Sequence, residues 1–229
     1  MAIEKAIKLE GDHKTRGIAI IKGMAERDSV SKVRSSALTF LAANTPATEL
    51  ESVLVDRIKN DQSYLVVTNS LRNLGKSNPD KAIELAKSLE NEKSSKMLSG
   101  IGQIYGSYAG KEAFPFFESS LKGNILQGFD QLSVMNSLSY FISRQDVELF
   151  DRSFELYEYL KSNGGYYTQM FLPQNISFLM DVCEEKIAEL NAQIEAHEKN
   201  KDAVYADQAR RQKKAYENLI AKFSPLMAE

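Results

Sequence analysis

The chain has 229 residues, of which 43% are hydrophobic and 26% charged, and its formal net charge is −2. This composition is typical of a folded globular protein and lacks the basic excess that a surface binding a nucleic-acid backbone requires. The single cysteine excludes an internal disulfide and a cysteine-based metal site.

Apolar residues recur at helical spacing along the chain as far as Leu160. With only 12 glycines, 5 prolines and no tryptophan, the sequence favours helices joined by short connections. It predicts helices over 3–27 with a break near Gly11, over 30–43, from Pro46, and over 63–76, 80–89, 94–108, 113–121, 130–143 and 146–160.

Capping residues mark the starts of three of these helices. Asp28 and Ser29 offer side-chain oxygens before the helix over 30–43. Thr45-Pro46 and Asn78-Pro79 each place a possible cap before a proline at the first helical position, where a missing N–H costs little.

Similar helices recur at near-regular intervals. The apolar pairs that begin at Leu38, Leu71, Ile101 and Leu138 are spaced 33, 30 and 37 residues apart, close to the length of two helices and two turns. One helix pair cannot bury its apolar face alone, so neighbouring pairs must stack. The pattern predicts an all-α fold, an α-solenoid of HEAT-like or armadillo-like helix pairs. A closed helical bundle is the alternative.

The repeat register ends after Leu160. The sequence predicts a linker over 161–165, a tyrosine-rich loop over 166–173, and a long antiparallel helical hairpin over 176–223. One continuous helix over 176–223 is the alternative, because no glycine forces a turn. The predicted organisation is therefore a solenoid over 1–163, with 164–229 capping the same structural domain.

No residue pattern predicts catalysis, a cofactor or a metal. His197-Glu198 resembles the start of a zinc-protease H-E-x-x-H motif, but Lys201 stands at the second ligand position. His13 has no second ligand at helical spacing, and Gly100-Ile-Gly102 lies within a predicted helix, where small residues allow close packing. No catalytic, cofactor-binding or metal-binding residue is therefore assigned.

Four other features have a structural and a functional interpretation. Cys183 is expected to be a buried helix residue, and Phe114, Phe116 and Phe117 to belong to the core. The basic run 210–214 is expected to be a solvent-exposed helix face rather than a nucleic-acid site. The segment 166–171 is either a recognition loop or a loop packed over the end of the solenoid.

Two helices and the charged C-terminal hairpin together resemble a known family. The helices read S-K-V-R-S-S-A-L-T-F-L over 31–41 and D-Q-S-Y-L-V-V-T-N-S-L-R-N-L-G over 61–75. They resemble the C-terminal helical region of bacterial zinc aminopeptidases, the gluzincin, membrane-alanyl-aminopeptidase-like family. In that family the H-E-x-x-H zinc motif and the G-x-M-E-N motif lie upstream in a catalytic domain, and neither occurs in this sequence.

The resemblance implies a non-catalytic domain that encloses a substrate chamber and restricts peptide access. Its partner would be the upstream catalytic domain of the same polypeptide, which would hold the zinc, and it could contact peptide substrate. A free-standing HEAT-like interaction scaffold is the alternative, and an enzyme built from scattered carboxylates and tyrosines is a third hypothesis.

The sequence assigns no compartment. The N-terminal residues Met1-Ala-Ile-Glu-Lys lack the apolar run of a signal peptide. No stretch approaches the roughly 18–20 apolar residues that span a bilayer, so a membrane span is not expected.

Overall fold

A computed structural model describes residues 11–227 as an all-α protein, and no strand occurs in this range. The predicted segment before Gly11 lies outside the described residues. Short 3₁₀ turns are found at Lys111–Ala113 and Ser224–Met227. The α-helices are α1 Gly11–Arg27, α2 Ser31–Asn44, α3 Ala47–Asn60, α4 Tyr64–Ser77, α5 Pro79–Ser88, α6 Ser95–Tyr108, α7 Phe114–Lys122, α8 Gly128–Ser143, α9 Val147–Asn163, α10 Tyr166–Lys199 and α11 Ala203–Phe223.

The chain forms two compact units, one ending at Ile104 and the other beginning at Tyr105. The division falls within α6, whereas the sequence predicted a change of pattern only after Leu160. Below, the two are called the N-terminal and the C-terminal unit.

In the N-terminal unit, α2 and α4 lie side by side and run in the same direction. At the start of α2, Arg34 binds Asp61, which precedes α4, and further along Asn69 donates to Thr39 Oγ1 at 3.0 Å. Asn69 also donates to the carbonyl of Ser35, a partner 34 residues earlier in the chain. The apolar residues Leu38, Leu41, Leu71 and Leu74 are buried in this layer.

Helix α6 approaches α4 closely within the same unit. Arg72 donates to Gln103 Oε1 at 2.7 Å, a partner 31 residues later in the chain. A Cβ on Gly100 would lie only 2.8 Å from Thr68 Cβ, so the glycine allows the two helices to come together. The predicted role of Gly100 in close helix packing is therefore confirmed.

Gly100→Ala is expected to lower the free energy of unfolding by about 1–3 kcal/mol, because overpacking forces the helices apart. Thr68 cannot turn away freely, since its hydroxyl donates to the carbonyl of Tyr64 at 2.8 Å. Gly23 in α1 is the matched control, because a Cβ there meets nothing closer than 3.6 Å. Urea denaturation should show Gly23→Ala to be stabilising by roughly 0.5–1 kcal/mol. Equal effects of the two substitutions would contradict the close contact.

The core of the C-terminal unit is rich in aromatic side chains. Tyr105 meets Phe116 edge-on at 5.1 Å between ring centroids, and Phe117 contacts Phe141 at 5.0 Å. Phe114, Phe116 and Phe117 are 1%, 6% and 0% exposed, which confirms their predicted place in the core.

The two C-terminal helices form the antiparallel hairpin that the sequence favoured over one continuous helix. Near the turn, His197 of α10 stacks on Tyr205 of α11 with ring centroids 5.5 Å apart. Further from the turn, Tyr216 of α11 lies within electrostatic range of Lys186 of α10. Residues earlier in α10 thus lie beside residues later in α11, so the two helices run in opposite directions.

The predicted tyrosine-rich loop over 166–173 is wrong, because these residues form the first two turns of α10. Pro173 lies inside the helix and removes one backbone hydrogen bond. The helix continues because Thr168, Leu172 and Ile176 lie on one buried face. Tertiary packing thus outweighs the local signals for a loop.

The capping predictions had different outcomes. Asn78 caps α5 as predicted, with its Oδ1 accepting from the Lys81 N–H at 3.2 Å. Asp28 accepts from the Val30 N–H at 2.8 Å just before α2. Thr45 does not cap α3, because its buried Oγ1 has no hydrogen-bond partner and the helix begins at Ala47.

Candidate interaction surface

The residues singled out in the sequence do not converge on a catalytic constellation. His13 is exposed on α1, and His197 lies 3.9 Å from Asp202 at the hairpin turn. Cys183 is buried as predicted, and burial raises the pKa of its thiol to about 12. Among residues 11–227, no three histidine, cysteine, aspartate or glutamate side chains are grouped as metal ligands.

The basic run 210–214 lies on α11 and is balanced by carboxylates. Arg210 pairs with Asp207 and Glu198, and Lys213 and Lys214 both lie within 4 Å of Glu217. The run therefore forms ion pairs on a helix surface, as predicted. Ion pairs of this exposed kind contribute little to stability.

Each unit has a cleft on its surface. In the N-terminal unit a cavity of about 330 Å³ lies among α2, α3 and α4 and is lined mainly by small side chains such as Ala42 and Ala47. In the C-terminal unit a shallow cleft of about 500 Å³ lies beside the starts of α7 and α9. Its Arg152 already pairs with Glu118 at 2.9 Å and lies over the Phe114 ring. Thr45, whose Oγ1 has no hydrogen-bond partner, lines the first cleft, but no histidine, cysteine or carboxylate side chain lines it beside this hydroxyl.

The most distinctive surface of the C-terminal unit is formed by α8 and α10. Gln131 of α8 contacts Thr168 of α10, and further along Asn136 contacts Asn175, so the two helices run in the same direction. Five large apolar side chains on these helices are exposed to solvent. They are Phe129 at 64%, Tyr140 at 51%, Tyr166 at 74%, Met170 at 58% and Phe178 at 40%, and we call this surface the α8/α10 face.

Aromatic contacts organise the end of the face where both helices begin. Phe129 stacks on Tyr167 with ring centroids 4.1 Å apart, and Tyr166 meets Tyr167 edge-on at 5.4 Å. Helix positions Tyr166 and Met170 are one turn apart, so both side chains project from the same side of α10. The tyrosines are thus displayed by a helix and not by a loop.

A buried polar network fixes the two helices beneath this end of the face. Gln131 Oε1 accepts from the Gly165 N–H at 2.8 Å and from the Thr168 hydroxyl at 2.9 Å. The Gly165 bond satisfies a backbone N–H just before α10 begins. The start of α10 is therefore anchored directly to α8.

The same network continues further along the two helices. Asn175 donates to Asn136 Oδ1 at 2.9 Å, and its own Oδ1 accepts from the Ser139 hydroxyl at 2.6 Å. The Tyr157 hydroxyl lies 2.7 Å from Ser139 Oγ. Burial raises the pKa of Tyr157 above its usual value, against the smaller effect of that hydrogen bond, so the phenol remains protonated. Satisfied buried polar groups of this kind fix one relative position of the helices.

The helix segments that form the α8/α10 face contain no charged residue, and the nearest recorded charge is Arg144, whose guanidinium lies 5.9 Å from the centroid of the Tyr140 ring. Residues 131–143 and 162–180 contain no aspartate, glutamate, lysine, arginine or histidine, although 26% of the chain is charged. Exposed aromatic and methionine side chains without interspersed charges are typical of protein-interaction surfaces. The segment 166–171 could be singled out from the sequence, but the contribution of α8 could not, because Phe129 and Tyr140 lie far from the tyrosines along the chain.

Comparison with known protein families, with curated proteins and with solved structures found no match for this chain. Within residues 11–227, no helix combines the length and the apolar character needed to cross a bilayer.

Proposed function

We propose that this chain is a non-catalytic helical-repeat module, an α-solenoid of HEAT-like helix pairs, that binds a protein partner. The α8/α10 face is the observation that carries the proposal. A surface with five exposed apolar side chains is costly in water, and covering it with another protein removes that cost.

The spacing of contacts within each unit supports the repeat architecture. In the N-terminal unit, partners on neighbouring parallel helices are 34 residues apart for Ser35 and Asn69, and 31 apart for Arg72 and Gln103. In the C-terminal unit the corresponding separations are 37 to 39 residues between α8 and α10. Separations of this size are typical of stacked helix pairs, in which each repeat contacts the next.

The resemblance to zinc aminopeptidases suggests a narrower form of the same proposal. In that form the partner is the catalytic domain upstream in the same polypeptide, which holds the zinc, and the helical module limits which peptides enter. The repeat spacing and the lack of a zinc motif in this sequence are compatible with it. The free-standing scaffold requires only the α8/α10 face, whereas the narrower form also requires an upstream catalytic domain.

Site-specific photocrosslinking in the cells of origin tests the proposal. The photoreactive residue p-benzoylphenylalanine replaces Tyr166 on the face or, as a matched control, Val204, which is 75% exposed on α11. Crosslinked species at position 166 and none at position 204 are expected. Equal crosslinking at both positions, or none at either, would contradict a dedicated interaction face.

The non-catalytic part of the proposal has its own test. The purified chain should neither hydrolyse alanyl-p-nitroanilide nor contain stoichiometric zinc by elemental analysis. Hydrolysis that copurifies with the chain and scales with its concentration would instead establish a catalytic site.

A further inference from the structure

We infer that α2, α4 and α6 of the N-terminal unit form a binding surface for an acidic segment of a protein, with one carboxylate of that segment held by Lys76 and Thr45. We call this surface the α2/α4/α6 face, and it includes α6 as far as Ile104. It is a second surface, beyond the α8/α10 face of the proposed function. Three observations support it: the lack of acidic residues in its helices, exposed cations without counter-ions, and a cleft with an unpaired hydroxyl.

The three helices of this face contain no acidic residue. Aspartate and glutamate make up 31 of the 229 residues of the chain, yet neither occurs in 31–44, 64–77 or 95–104. By contrast, α3 carries three acidic residues and α5 carries two. The acid-free ranges contain five basic residues, which are Lys32, Arg34, Arg72, Lys76 and Lys96. One layer of the unit is therefore positively charged, although the whole chain has a net charge of −2.

Four of these five basic side chains are exposed, and within residues 11–227 none of the four forms an ion pair. Arg34 is the exception, because Asp61 binds it. Arg72 donates to the neutral amide oxygen of Gln103 on α6. Lys76 follows Arg72 by one turn and lies on the same side of α4. The described part of the chain therefore does not neutralise the positive charge of the face.

The carboxylates that precede these helices already have partners. Asp28, before α2, accepts from a backbone N–H at 2.8 Å. Asp61, before α4, is held by two arginines. Glu92, before α6, accepts from the Tyr64 hydroxyl at 3.3 Å. These three groups lie at the helix starts, whereas Lys76 is in the last turn of α4. A carboxylate from another molecule therefore meets no competing carboxylate of these three at Lys76.

The cleft of about 330 Å³ in this unit is lined by Lys76, which is its only charged residue. The buried Thr45 Oγ1 also lines it and has no hydrogen-bond partner. The other polar side chains around the cleft use their donors within the protein. Thr39 and Ser77 donate to backbone carbonyls, and the Asn73 amide donates to Asn69. The ammonium of Lys76 and the hydroxyl of Thr45 are thus the side-chain donors that remain.

A cation and a hydroxyl donor beside small apolar side chains suit a carboxylate carried on a short aliphatic stem. Both donors bind an anionic oxygen, and the charge-assisted bond to lysine is the stronger of the two. The ligand would also satisfy the buried Thr45 hydroxyl, which is a rare and costly unpaired group in a folded protein. An aspartate or glutamate side chain has this chemistry.

The extent of the face favours a segment of a protein over other anions. Packed helices lie about 8–10 Å apart, so three of them span about 16–20 Å, the length of about five or six extended residues. Proteins that bind a nucleic-acid backbone make of the order of 6–10 phosphate contacts, and this face offers four exposed cations. Leu65, 40% exposed on the same side of α4 as Arg72, suits contact with an amino-acid side chain.

Fluorescence anisotropy of the purified full chain with a fluorescein-labelled octapeptide of alternating glutamate and serine tests the inference. At about 50 mM salt we expect a dissociation constant below about 100 μM, and weaker binding as salt is added. The same peptide with glutamine in place of glutamate is the ligand control and should not bind, because it lacks the carboxylates.

Two substitutions test the site itself. Lys76→Gln and Thr45→Val should each raise the dissociation constant about fivefold, since each removes one donor to the carboxylate. Lys87→Gln is the matched control, because it removes the same charge from an exposed position of α5, outside the face, and should leave the dissociation constant unchanged. Thr45→Val keeps the side-chain size and removes an unpaired hydroxyl, so its thermal midpoint should not fall. Weaker binding by this variant is therefore not a loss of folding.

The inference is overturned by equal binding of the glutamate and glutamine peptides, by no binding of either, or by equal effects of Lys76→Gln and Lys87→Gln. Tighter binding of an oligothymidine octamer than of the glutamate peptide would overturn it in favour of a nucleic acid. Binding of N-acetylglutamate as tight as that of the peptide would reduce the face to a small-ligand site. None of these outcomes bears on crosslinking at position 166, so this inference and the proposed function fail separately.

Discussion

Replacing Asp61 by asparagine is expected to lower the free energy of unfolding by about 3 kcal/mol, the low end of the range for breaking a buried ion pair. The Asp61 side chain is 1% exposed and binds the Arg34 guanidinium through two hydrogen bonds of 2.7 Å. Arg57 lies 3.5 Å away on the other side, and the Ser63 N–H donates to the carboxylate at 2.9 Å. Asparagine retains the shape but leaves both guanidinium groups without their shared counter-ion.

This ion pair joins elements that are distant in sequence. Arg34 also donates to the carbonyl of Asp28 at 2.7 Å, and Arg57 donates to the carbonyl of Glu26 at 2.9 Å. The carboxylate therefore holds the connections that follow α1 and α3 next to the start of α2. Losing it should loosen three connected helices, which explains an effect larger than that of a surface ion pair.

Glu84→Gln is the matched control, because Glu84 forms a surface ion pair with Lys81 and is 65% exposed. Its removal should change stability by less than about 0.5 kcal/mol. Urea denaturation at one fixed protein concentration measures both variants, since association adds to apparent stability. Equal effects of Asp61→Asn and Glu84→Gln would contradict the structural role of the buried pair.

The same group makes stability depend on pH. Burial acts to raise the pKa of Asp61, but hydrogen bonds from Arg34 and Ser63 and the charges of Arg34 and Arg57 hold it below the ordinary aspartate value. The folded state therefore binds this proton less readily than the unfolded state. The stabilisation is fully present above the unfolded pKa, near 3.9, and is lost as the pH falls through the lower pKa of the folded state. Urea titrations from pH 7 downward should show wild type and Asp61→Asn converging below about pH 4.

Phe223→Ala is expected to destabilise the C-terminal unit by about 3–5 kcal/mol, the usual cost of truncating a buried phenylalanine. The Phe223 ring is 1% exposed and meets three rings of α9 edge-on. The centroid distances are 5.7 Å to Phe150, 5.3 Å to Phe154 and 5.9 Å to Tyr157. Alanine would leave a cavity and remove all three aromatic contacts, through which α11 packs on α9.

Phe178→Ala provides the comparison for this second substitution, because Phe178 is 40% exposed on the α8/α10 face. In the monomer its loss should cost less than about 1 kcal/mol, since much of its surface already contacts water. Near-identical losses for the two phenylalanines in urea denaturation would mean that α11 does not pack on α9 through Phe223.

Much of the helical architecture could be predicted from local sequence, because its causes are local. Apolar spacing fixed which residues form helices from α2 to α9, and the Asn78-Pro79 signal located the start of α5. Burial of Phe114, Phe117 and Cys183 followed from their apolar character alone. These features depend on residues within a few positions of one another.

The sequence alone determined an all-α chain, its main helix positions and much of its core, because periodicity and capping act within a few residues. Only the tertiary structure decided that Tyr166–Pro173 is helical, since α8 supplies Gln131 to bind Gly165 and the helix buries Leu172. Tertiary structure alone also brought Arg34 to Asp61 and Phe129 to Tyr167. These contacts join residues dozens of positions apart, and their energies depend on burial that no local pattern encodes.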